Sequence, residues 1–153
     1  MKRRLFIPTA TLAVVVLTLW PLPSQAQRSS MTQWEALVRV KLAGAALLLS
    51  IAGVHFAYDP YIGSLEEGTY FDIRVPMYEG VRYTLIGVCD DDCRNLNMAL
   101  FDADVRLVGE SADRTTTPSL QITPKRTQRY TVSVAMDRCR ADYCYYGLGV
   151  YSK

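Results

Sequence analysis

Arg129-Tyr130-Thr131-Val132-Ser133-Val134-Ala135-Met136 carries the clearest strand pattern in the chain. Tyr130, Val132, Val134 and Met136 alternate with polar or small residues. A period of two sends alternate side chains to opposite faces of a strand. This strand therefore turns its apolar residues inward, with Thr131 and Ser133 facing out. β-Branched and aromatic residues suit such a pleated, half-buried surface.

The alternation recurs on both sides of this stretch. Between Tyr70 and Val75, Phe71, Ile73 and Val75 share one face, and Tyr70, Asp72 and Arg74 share the other. Val81–Val88 and Leu96–Phe101 read as strands, separated from their neighbours by turns at Gly80 and Asp102–Asp104. Arg106–Val108 and Ser119–Ile122 read as short strands around a polar loop, and Tyr145–Tyr151 closes the series. Seven short strands with turns between them predict a mainly β, antiparallel sandwich.

Upstream the period changes. Thr32-Gln33-Trp34-Glu35 matches a capping box, in which the Thr32 hydroxyl and the Glu35 carboxylate each satisfy the other's backbone N–H. Trp34, Leu37, Val38, Leu42, Ala45, Leu48, Leu49 and Ala52 follow at spacings of three and four, which predicts one amphipathic helix to about Ser50. Asp59-Pro60 and Gly63 predict turns. The segment from Leu42 to Tyr58 is nearly uncharged, so a second membrane segment competes with a packed helix. It is short for a bilayer span and contains Ser50, His55 and two glycines, which favours packing on the domain. Such a helix either covers a sheet face or docks a partner.

Met1-Lys2-Arg3-Arg4, the apolar run Leu5–Trp20, Pro21 and Pro23, and the small residues Ser24 and Ala26 follow the order of a secretory signal cleaved after Ala26. An uncleaved anchor is the alternative, disfavoured by the short run and the prolines. The full chain has 17 Lys and Arg against 15 Asp and Glu. Cleavage removes Lys2, Arg3 and Arg4 and no acid, leaving 14 against 15, a formal net charge of −1. Nothing in that balance predicts nucleic-acid binding, which needs a basic stripe. The expected organisation is a signal peptide at 1–26, a leader and helix at 27–63, and a disulfide-stapled sandwich at 64–153. After signal cleavage no stable membrane span is expected, and the location is periplasmic or secreted.

Cys89, Cys93, Cys139 and Cys144 form two close pairs. In an exported chain an even count reads as disulfides, and the local pairings Cys89 with Cys93 and Cys139 with Cys144 are favoured among three connectivities. A four-cysteine zinc site is the alternative, with spacing that fits zinc knuckles poorly.

Gly80-Val81-Arg82-Tyr83-Thr84-Leu85, Asn95-Leu96-Asn97-Met98-Ala99-Leu100-Phe101-Asp102 and Arg129-Tyr130-Thr131-Val132-Ser133-Val134 together carry a family resemblance. Residues 68–151 resemble the bacterial pre-peptidase C-terminal domain, a jelly-roll-like β-sandwich often attached to secreted peptidases. The resemblance implies an accessory or binding module without catalysis and names no ligand. Family members commonly have an Asp-Leu-Asp-Leu stretch where this chain has Asn95-Leu96-Asn97-Met98, so any cation-holding role of those aspartates loses its charge here.

Candidate sites are few. Asp90-Asp91-Asp92 lies between Cys89 and Cys93, and calcium held by Asp90, Asp92, Asn95 and Asn97 is one reading, since hard cations take oxygen ligands. The spacing is not that of an EF-hand, and a solvated polar loop is the plainer reading. Otherwise no cofactor is expected. Tyr145, Gly147, Gly149 and Tyr151 share one strand face, where two rings flanking a glycine platform would stack on a sugar or a peptide. Ordinary cross-strand packing is the alternative. His55 is the one histidine, and no G-x-S-x-G, H-E-x-x-H or phosphate-loop motif occurs. The expectation is therefore no enzyme, but an exported binding or accessory domain acting on an envelope protein. A carbohydrate- or peptide-binding module is the first alternative, with polysaccharide as partner, and a small secreted hydrolase the second.

Overall fold

A computed structural model describes residues 32–111 and 114–153. The expected signal peptide lies outside the described residues. Among the described residues the elements are one helix, α1 (Gln33–Ser50), and nine strands. The strands are β1 (His55–Phe56), β2 (Tyr61–Leu65), β3 (Thr69–Met77), β4 (Tyr83–Cys89), β5 (Cys93–Phe101), β6 (Leu107–Ser111), β7 (Ser119–Ile122), β8 (Gln128–Cys139) and β9 (Cys144–Ser152). They form two antiparallel sheets. In one, β9 pairs with β1, β2 and β4, and β4 pairs with β7; in the other, the order is β3-β8-β5-β6.

The stretch 129–136 behaves as its pattern predicts. Tyr130, Val132, Val134 and Met136 are all buried between the sheets. They meet Ile73, Val75 and Met77 of β3, Leu96, Met98 and Leu100 of β5, Leu85 of β4, and Leu148 and Val150 of β9 in one core. Phe71 shares the inward face of β3 but is exposed, near the start of an edge strand. Two strands arise that the pattern did not predict, and one of them, β2, spans the turn expected at Gly63. β1 and β2 run antiparallel to β9, and β2 contains Gly63 at its centre, facing Tyr146. A Cβ at Gly63 would lie 3.0 Å from the Tyr146 ring, so the glycine serves close packing there and not a turn.

α1 begins with the predicted capping box: the Glu35 N–H donates to Thr32 Oγ1 (3.2 Å) and the Thr32 N–H to Glu35 Oε2 (3.1 Å). The helix lies on the outer face of the β9–β4 sheet. Val38 and Leu42 are buried against Val88, with Ile62, Ile86 and Tyr145 around them. Burying two such side chains contributes about 1.5–3 kcal/mol each. Lys41 anchors the helix laterally: its Nζ donates to the Cys89 carbonyl (2.9 Å) and pairs with Asp91 (2.9 Å). No helix among the described residues is long and apolar enough to cross a membrane.

Both favoured disulfides are present, Cys89–Cys93 and Cys139–Cys144. Each joins the end of one strand to the start of the next, and each crosses from one sheet to the other. Cys93 and Cys139 are register partners, so the two bridges sit side by side at one end of the sandwich. All four cysteines are thereby oxidised, as suits an oxidising compartment.

Candidate functional site

The expected glycine platform on β9 exists, but the protein's own helix occupies it. A Cβ at Gly147 would lie 2.6 Å from Val38 Cγ1 and 2.8 Å from Leu42 Cδ1, so only glycine lets α1 approach this closely. A Cβ at Gly149 would lie 2.6 Å from the Tyr151 hydroxyl. Tyr151 is 0 % exposed; its ring stacks on Phe56 (centroids 4.5 Å apart) and its hydroxyl donates to the Leu42 carbonyl (3.2 Å). Desolvation pushes its pKa from 10.0 to about 12. Tyr145 is half-buried beside α1, edge-on to Tyr143. The two rings that were to flank a ligand instead hold the helix in place.

The four calcium candidates do not converge as an oxygen cage. Asp90 is buried, and both carboxylate oxygens serve the backbone. Oδ1 accepts from the Asp92 and Cys93 N–H groups (3.2 and 3.1 Å), and Oδ2 accepts from the Tyr145 N–H (2.7 Å). The Asp90 N–H donates in turn to the Tyr145 carbonyl (3.0 Å). Asp90 therefore clasps the disulfide-bonded β4–β5 turn to the start of β9. Asn95 and Asn97 lie on β5 and donate through their amides to Asp137. Asn95 also accepts from the Thr115 N–H through Oδ1 (3.2 Å). Among the described residues, no three His, Cys, Asp or Glu side chains are grouped to hold a metal ion. His55 is exposed on β1, opposite Ser152.

Among the described residues, two surfaces have no covering element. The first is the outer side of α1. Val40, Leu47, Leu48 and Ile51 are 67, 69, 72 and 83 % exposed. Spacings of four, three and four place Val40, Gly44, Leu47 and Ile51 along one stripe. The expected single apolar face is thus two faces: Val38 and Leu42 meet the sheet, whereas Leu48 and Ala52, read as inward, point to solvent.

The second surface is the outer face of the β3-β8-β5-β6 sheet. Strand register sets three rows across it: Tyr70, Ala135 and Asn97; Asp72, Ser133 and Ala99; Arg74, Thr131 and Phe101. Small side chains on β8 form a floor, with Tyr70 and Asp72 on one wall and Phe101, Asp102 and Val105 on the other, around a groove of about 520 Å³. Asp102 is fixed by its own turn. Its Oδ1 accepts from the Asp104 and Arg106 N–H groups (2.9 Å each). The same turn holds Val105 at φ 59°, a region that β-branched residues rarely enter. The sequence marked Asp72 and Thr131 as outward-facing, but only strand order brings them opposite Phe101 and Asp102.

No protein-family model matches the chain, and no curated protein matches it. Solved structures do. A periplasmic inhibitor of g-type lysozyme from Aeromonas hydrophila superposes with a TM-score of 0.49 at 15 % identity, over 67 % of this chain and 90 % of that one. The pre-peptidase C-terminal domain of a collagenase from Bacillus anthracis superposes with a TM-score of 0.49 at 11 % identity, over 60 % of this chain and 86 % of that one. These are likenesses of fold.

Proposed function

We propose that the chain is an exported, non-catalytic module, periplasmic or secreted, that binds another protein of the cell envelope through the outer side of α1. The observation that carries this reading is the exposed stripe of Val40, Leu47, Leu48 and Ile51 on a helix whose other side is already packed. A surface helix normally turns a polar face to water. Here no residue from Leu42 to Val54 carries a charge. Contiguous exposed apolar side chains mark interaction surfaces, and a helix presenting anchors at these spacings fits an apolar groove on a protein partner. The exposed Gly44 would let a partner backbone come close at the middle of the stripe.

The test places a photo-crosslinking residue at Val40 in the protein exported by its native cell. The expected result is one recurrent protein adduct, lost in the Leu47→Ser, Leu48→Ser, Ile51→Ser variant while its melting curve and disulfides are kept. Adducts only between copies of this chain, or only with lipid, would overturn the proposal.

A further inference from the structure

We infer that the groove across β8 is a second binding site, one that takes a Lys or Arg side chain presented on an extended peptide segment. It lies on the sheet opposite the one that carries α1, so it stands or falls independently of the helix reading. Among the described residues, the lining contains two carboxylates, Asp72 and Asp102, and no Lys or Arg. Asp102 is held rigidly, since its Oδ1 and backbone are engaged in the 102–106 turn. Asp72 is exposed and, among the described residues, takes part in no ion pair; the pairs present are Lys41–Asp91 and Arg106–Asp104. Arg74, two residues along the same face, stands outside the lining.

The rest of the groove suits the stem and head of a long cationic side chain. Tyr70, 66 % exposed, and Phe101 supply ring faces to which a cation is attracted, and they cover methylene groups. Thr131 and Ser133 place hydroxyl groups on the floor, able to accept from a guanidinium or an ammonium. The volume of about 520 Å³ holds one such side chain with its flanking backbone. A neighbouring groove of about 370 Å³, which shares Asp102, mixes Asp102 and Asp104 with Lys125 and Arg126 and so offers no single sign.

The experiment titrates the isotopically labelled exported protein with blocked Gly-Ser-Xaa-Ser-Gly peptides in which Xaa is Arg, Lys, citrulline or Glu. Backbone amide resonances are followed. Saturable shifts at Tyr70, Phe101, Thr131, Ser133 and Ala135 are expected with Arg and Lys. Citrulline keeps the shape of Arg without the charge and should bind about tenfold more weakly. Asp72→Asn, on an exposed strand position, should weaken the Arg peptide by about tenfold with an unchanged melting curve. Three results would overturn the assignment: no saturable shift at the groove, equal binding of Arg and citrulline peptides, or full affinity in Asp72→Asn. Groove shifts with a neutral chito-oligosaccharide in place of the basic peptides would assign the site to sugar instead.

Discussion

At the scale of single residues, Asp90 and Gly147 carry more of the fold than their types suggest. Asp90 accepts three backbone hydrogen bonds from a buried position. Asp90→Asn keeps an acceptor toward Asp92 and Cys93 but turns an NH₂ toward the Tyr145 N–H. The expected loss is about 2 kcal/mol, a fall in Tm on the order of 8 °C, measured by calorimetry. Added calcium or EDTA should leave the wild-type Tm unchanged, since both oxygens are already engaged. Gly147→Ala places a methyl group against Val38 and Leu42. It should cost about 1–3 kcal/mol, read by chemical denaturation.

Tyr151 gives an alkaline signature. The unfolded phenol ionises near 10 and the folded one near 12, because burial disfavours the phenolate. The unfolded chain therefore loses its proton first as pH rises. The stabilising difference is intact below pH about 10 and is lost across the window to about 12. Urea denaturation at a series of pH values should show that decline, reduced in Tyr151→Phe and not abolished, since burial also raises Tyr146. The sequence placed Tyr145, Gly147, Gly149 and Tyr151 on one strand face, and that face is the one beneath the helix. What it could not supply was the cover. An alternation of large and small residues looks the same whether a ligand or a helix lies upon it.

At the scale of elements, the strands of the core were legible because their period of two matches one-sided burial, as in β8, where four predicted inward residues are buried. β1 and β2 were not. They are short, contain turn-forming neighbours, and exist because β9 offers them an edge. The helix was legible in its start and extent, through the Thr32–Glu35 capping box, but not in its facing. Leu37, Leu47, Leu48 and Leu49 give an apolar signal nearly all round, and only the sheet beneath selects Val38 and Leu42. The disulfide pairs were legible from spacing, their crossing between sheets was not. Closing loops of only four and five residues in sequence separation constrains the unfolded chain modestly. Removing one pair, as Cys139→Ala with Cys144→Ala, should cost about 2 kcal/mol and leave the fold intact by circular dichroism.

At the scale of the whole molecule, the sandwich has two broad faces with different fates. One is closed by α1, whose outer side then becomes surface. The other is open among the described residues and bears a groove lined by acids and aromatic rings. The groove was not visible as a site in the sequence, and the helix was legible only as either a cover or a docking element, because each surface depends on which strands are neighbours and which side of the helix is left over. The architecture and the disulfide pairs were legible through periodicity and cysteine spacing. The central claim is that the outer side of α1 docks another envelope protein, and photo-crosslinking from Val40 in the native cell tests it most directly. One recurrent protein adduct is expected, and it should disappear when Leu47, Leu48 and Ile51 are made polar in a folded variant. Adducts confined to lipid or to a second copy of this chain, or a protein adduct that persists in that variant, would contradict it.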